Sequence, residues 1–158
     1  MLQEDHALED KPPSYIDLHT HSFMPDSDGV MRVQNLFPDV SGEGEDLPGC
    51  FTIGIHPKNI DTEYLQRDLK IMEDVLKNNP GSVIAVGECG LDKFALEPQS
   101  VQEEVFSAQI LLALRYNLPL IVHTVRSWQE IIHVKKRLAP EQTWVVHGFR
   151  SSPETAAA

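Results

Sequence analysis

The chain has 158 residues, which suits one domain and allows a sizeable core. Its formal net charge of −11 argues against a basic surface for gripping long nucleic acid, and no apolar run is long enough to span a bilayer. Hydrophobic and charged contents of 41% and 23% fit a soluble globular protein. Two cysteines, Cys50 and Cys89, make no disulfide framework, so a reducing cytoplasm is the expected setting.

Residues 1–13 begin MLQEDHALED. They are acidic and polar, unlike a signal or transit peptide, and are read as a loose N-terminal extension. The remainder reads as a single domain running to residue 158. A strand is expected over 14–18 and a second over 30–36. The stretch 25–49 is rich in Gly, Pro and Asp and carries no clear element. CFTIGI at 50–55 is a third strand, and SVIAV at 82–86 a fourth. PLIV at 119–122 is a fifth, and TWVV at 143–146 a sixth. These runs are apolar without alternation, as strands buried on both faces are.

Helices fall between the later strands. One is expected over 62–78, with Leu65, Leu69, Met72 and Leu76 at helical spacing and Pro80-Gly81 ending it. A second is expected over 99–116, with Val101, Val105, Ala108 and Leu112 on one side, and a third over 127–138. HVKKR at 133–137, the densest positive cluster, reads as a solvated helix face. Ser152 suits an N-cap, with Pro153 at the first position of a last helix and Glu154 in its first turn. Alternating strands and helices predict βα units and a parallel sheet.

The strand ends carry the chemistry. His19 and His21 follow the first strand, His56 the third, Glu88 the fourth, His123 the fifth and His147 the sixth. His6 and His133 lie elsewhere and receive no role. Five histidines and a glutamate at one end of a parallel sheet are hard to explain as core residues. In a closed βα barrel the active site is built at that end. Residues two apart on a strand share a face, so Asp17, His19 and His21 are expected to point inward. Neutral imidazoles with carboxylates suit one or two divalent ions such as Zn, Mn, Mg, Ni or Fe. Two metals bridged by Glu88 would use the whole set, holding a hydroxide as nucleophile and polarising a phosphoryl or acyl group. Asp17 could orient a histidine from behind, and Asp92, just past Glu88, could do the same. Cys89 should face away from Glu88 and pack, and Trp128 and Trp144 are expected to pack as well.

DLHTH (17–21), GIHP (54–57), GECGLD (87–92), PLIVHT (119–124) and VVHGF (145–149) resemble, in order, the motifs of the TatD-related metal-dependent hydrolases. QEEVFSAQILLA (102–113) resembles that family's helix after its fourth strand. The resemblance runs from about residue 15 to the end of the chain. It implies a TIM-barrel (β/α)8 fold, here with six of the eight strands. It also implies divalent-metal hydrolysis of phosphodiesters, as a DNase or 3′–5′ exonuclease acting on DNA ends or a small phosphoester. By motif, His19 and His21 would bind one metal, Glu88 would bridge, and His123 and His147 would bind the second. His56 would lie beside the site, nearer the substrate phosphate.

Two departures stand out. Where family members often carry an arginine two residues after the fifth-strand histidine, this chain has Val125, with Arg126 one place late as the candidate phosphate contact. The family's aspartate on the eighth strand has no counterpart here. A parent chain with two more βα units and a late aspartate is therefore expected. DLHTHSFMPDSDG (17–29) also resembles the first motif of the PHP phosphoesterases, an alternative that the later motifs do not share. A small-molecule metallohydrolase and a non-catalytic truncated relative are the other readings.

Overall fold

The computed structural model describes residues 13–21, 29–38, 47, 49–139 and 141–157. The extension at 1–12, His6 and most of the stretch 25–49 lie outside the described residues. Among the described residues, six strands form one sheet: β1 (Tyr15–Thr20), β2 (Val30–Leu36), β3 (Phe51–Ile53), β4 (Val83–Asp92), β5 (Leu120–Val125) and β6 (Trp144–Val146). They are hydrogen-bonded in chain order, and every neighbouring pair is parallel. Helices α1 (Leu65–Asn78), α2 (Gln99–Arg115) and α3 (Trp128–Leu138) supply the crossovers, and a short α4 (Pro153–Ala156) follows β6. The sheet curls as a half-barrel. Its two edge strands converge at their C-terminal ends, where the rings of His19 and His147 lie 4.3 Å apart.

The core lies between the sheet and the helices. Phe51, Ile53, Val86, Leu120 and Val122 from the strands meet Met72, Phe106, Ile110 and Val134 from the helices. Burying each such side chain contributes about 1.5–3 kcal/mol before entropy is counted. Trp144 packs edge-on against Phe106, as its packing role requires. Ser152 caps α4 by accepting from the Thr155 N–H, with Pro153 in the first turn. Lys135, inside the basic cluster, donates to the Gln142 carbonyl at 2.6 Å and lies over the Trp144 ring, whereas Lys136, Arg137 and His133 are exposed.

Three expectations need correction. The first helix begins at Leu65, because residues 62–64 form a turn. The fourth strand does not stop at 86 but continues to Asp92 through a register shift against β5 between Val86 and Cys89. Gly90, at φ 144°, permits this: a Cβ there would lie 2.0 Å from the His123 carbonyl oxygen. Glu88 and His123 are therefore held inside paired strands. The third correction concerns α2. Its buried residues are Gln102, Val105, Phe106, Gln109, Ile110, Leu112 and Ala113; of the expected face Val105 and Leu112 are buried, while Val101 and Ala108 are only half-buried. The helix is rotated from its expected setting because two glutamines, seven residues apart, are turned to the sheet.

Candidate metal centre

Glu88 is the hub. Its carboxylate is almost fully buried. Oε1 lies 2.8 Å from His123 Nδ1, 3.9 Å from His56 Nε2 and 4.0 Å from His147 Nε2. Oε2 lies 3.1 Å from His19 Nε2 and 3.7 Å from His21 Nε2. Two sets of donor atoms, each within 4.8 Å of one another, share this carboxylate: His19, His21 and Glu88, and His56, Glu88 and His123. The expected residues at the ends of β1, β3, β4, β5 and β6 are thus gathered in one place.

The donor set fits a divalent ion on an observation of its own. His19 Nδ1 and Nε2 are buried, and neither makes a hydrogen bond. Nε2 approaches Glu88 Oε2 at 3.1 Å, an ion-pair contact without a hydrogen bond. An imidazole left unsatisfied beside a buried carboxylate costs free energy that a bound cation would recover.

Electrostatics follow the same arrangement. Burial works against ionising Glu88, but the contacts of His123 and His19 and their charge outweigh it, holding the carboxyl well below its ordinary value. Burial also opposes a charged His123, yet Glu88 on one ring nitrogen and Asp92 on the other raise its pKa. His56 moves the other way. Burial, then the neighbouring charge of His123, lowers it to about 4. His56 Nδ1 accepts from the Lys58 N–H at 3.1 Å and caps the 3₁₀ turn Pro57–Asn59, so the ring proton of neutral His56 sits on Nε2, facing Glu88.

Asp92 is fully buried behind His123. Its Oδ2 lies 3.0 Å from His123 Nε2 and 3.2 Å from Lys58 Nζ, and its Oδ1 accepts from the Phe94 N–H at 2.8 Å. Asp17 does not behave as expected. It is exposed, and its carboxylate accepts from the backbone N–H of His19 at 3.3 Å. The reason is that β1 is an edge strand, with Tyr15, Ile16 and Leu18 also exposed. His21 lies beyond the strand end, exposed and stacked at 5.7 Å on Phe37. Arg126 stands outside the cluster, exposed, with its guanidinium 4.9 Å over the Phe94 ring. Cys89 packs in the core with its Sγ against the Ile121 carbonyl, and burial pushes its thiol up.

Sequence reasoning missed three positioning residues. Asn35 on β2 accepts from both the Thr52 hydroxyl and the Glu88 N–H. Gln109 takes the Ile55 N–H on Oε1 at 2.8 Å and donates to the Ile55 carbonyl at 3.1 Å, gripping the peptide just before His56. Gln102 does the same for Asp92, at 2.8 and 3.1 Å. The available signal was two glutamines at heptad spacing among the apolar residues of α2.

An all-parallel half-barrel with imidazoles and a shared carboxylate gathered at the C-terminal ends of its strands defines a βα-barrel protein with a metal-type site. The profile of the family described as TatD related DNase matches residues 41–158. The chain belongs to the TatD-related DNase family. It is similar to the uncharacterized metal-dependent hydrolase YjjV of Escherichia coli, with 36% identity over 66% of this chain and 40% of that protein. It is also similar to the deoxyribonuclease Tat-D of Schizosaccharomyces pombe, with 32% identity over 65% of this chain and 37% of that protein. The crystal structure of the TatD homolog YjjV from Escherichia coli superposes with a TM-score of 0.72 and 26% identity, covering 91% of this chain and 63% of that one. The chain spans less than half the length of the two relatives matched by sequence.

Proposed function

We propose that the protein is a divalent-metal-dependent hydrolase of phosphodiesters that acts on nucleic-acid ends. The carrying observation is the Glu88 carboxylate, buried and shared by imidazoles from both sides, with the His19 ring nitrogens left without hydrogen bonds. His19 and His21 with Glu88 would hold one ion, and Glu88 with His123 and His147 a second. A bound ion supplies Lewis acidity toward the phosphoryl group and acidifies a water.

The chain's own residues do the rest. Asp92 orients His123 through Nε2, keeping Nδ1 toward Glu88. His56 is kept neutral with its proton on Nε2, a tautomer that donates a hydrogen bond to a phosphate oxygen and is unsuited to ligating through that nitrogen. On this ground we read His56 as a substrate contact rather than a ligand, although it lies within reach of Glu88 and His123. Arg126 offers a charge farther out. Both cysteines are free, in keeping with a cytoplasmic setting, and no helix among the described residues is long and apolar enough to cross a membrane.

The test pairs metal content with hydrolysis of a generic phosphodiester. Glu88→Gln should lose turnover and bound metal while its circular dichroism stays native, because charge is lost and little volume changes. His56→Ala should keep its metal and lose turnover. A Glu88→Gln protein with unaltered turnover would sink the assignment.

A further inference from the structure

The rim beyond β4 and β5 carries a feature that the metal cluster does not explain. Phe94 is a large aromatic residue left 60% exposed. It follows β4 by two residues, and its N–H donates to the carboxylate of Asp92, which touches His123. Asp92 pairs with Val125 across the sheet, and the Lys93 N–H donates to the Val125 carbonyl at 3.1 Å. This register sets Phe94 beside the residue that follows Val125, which is Arg126.

Arg126 adopts φ 55°, a left-handed conformation that a non-glycine residue takes at a cost. The buried Ser127 hydroxyl donates to the Val125 carbonyl at 3.1 Å across this turn. The turn swings the guanidinium to 4.9 Å over the Phe94 ring. Among the described residues it pairs with no carboxylate, whereas the neighbouring Lys93 is engaged with Glu130 and Lys58 with Asp92. A strained backbone thus lays an unneutralised guanidinium against a largely exposed aromatic ring, beside the Asp92–His123 corner of the cluster.

We propose that Phe94 and Arg126 form a stacking subsite that takes an unpaired nucleobase, with Arg126 also facing the adjoining phosphate. The proposal rests on the phosphodiester reading for its choice of ligand. A base offers a π-face to Phe94 and to the guanidinium plane, and such stacking tolerates any sequence. It also suits a chain of net charge −11, which attracts a polyanion poorly over distance and must hold it by contact. A base inside a duplex has no free face to offer, so the subsite selects single-stranded nucleic acid.

The experiment compares a fluorescein-labelled thymidine octamer with an abasic octamer of the same phosphate backbone, in EDTA so that nothing is cut. Binding is read by anisotropy. Wild-type protein should bind the thymidine octamer about tenfold more tightly than the abasic one. Phe94→Leu should abolish that ratio without changing abasic affinity, and Phe94→Tyr should retain it. Equal binding of the two octamers by wild type overturns the subsite, as does a preference that survives Phe94→Leu, or no binding of either. The phosphodiester reading is judged separately by metal-dependent hydrolysis. Hydrolysis without a base preference defeats the subsite alone, whereas a Phe94-dependent preference without hydrolysis defeats only that reading.

Discussion

Gln109→Met tests whether a buried helix side chain sets the position of His56. Gln109 is fully buried, and its amide satisfies both peptide groups of Ile55. Ile55 lies two residues past the end of β3, so the strand ladder does not serve it. Methionine keeps the length and volume but can neither accept nor donate as the amide does. The substitution orphans one buried N–H and one buried C=O at about 1–3 kcal/mol each. Burying the apolar chain regains about 1–2 kcal/mol. At the midpoints of these ranges the net loss is about 2.5 kcal/mol, or about 5–10 °C in Tm for a domain of this size. Thermal and urea unfolding followed by circular dichroism would measure it, with the exposed Gln66→Met as a control expected within about 0.5 kcal/mol of wild type. The same variant should weaken phosphodiester turnover more than metal binding, because the gripped peptide precedes His56. A Gln109→Met protein as stable as the control would refute the reasoning.

Gly90→Ala should be among the most damaging single changes, costing more than about 4 kcal/mol, since its Cβ would overlap the His123 carbonyl oxygen. Gly81→Ala, also at positive φ but with open space around it, should cost about 1 kcal/mol, and the contrast is read in soluble yield and melting. The 158-residue chain should self-associate through its open edges β1 and β6, where Tyr15, Ile16 and Val145 are exposed. Sedimentation should detect this, Ile16→Lys should reduce it, and a monomeric wild-type chain would count against it.

Much of this protein is legible one residue at a time. Apolar runs ending in histidine or glutamate are a local pattern, and so is their alternation with helices; together they mark a parallel sheet and the end of it that carries the chemistry. Family motifs add the fold because each sits on one such junction. What stayed hidden depends on partners distant in sequence. Periodicity cannot show that β4 continues past Glu88, because the continuation rests on Gly90 clearing a carbonyl of β5. Nor can it turn α2 onto its glutamine face, since Gln102 and Gln109 are placed by peptide groups of Asp92 and Ile55 that only the folded chain brings within reach. Asp17 looked inward by alternation, but an edge strand leaves it exposed and bonded to its own backbone. Side chain identity and spacing therefore declare which groups are available, while the tertiary structure decides which of them meet, because a hydrogen bond or a shared carboxylate is a matter of a few tenths of an ångström between elements that the sequence holds far apart.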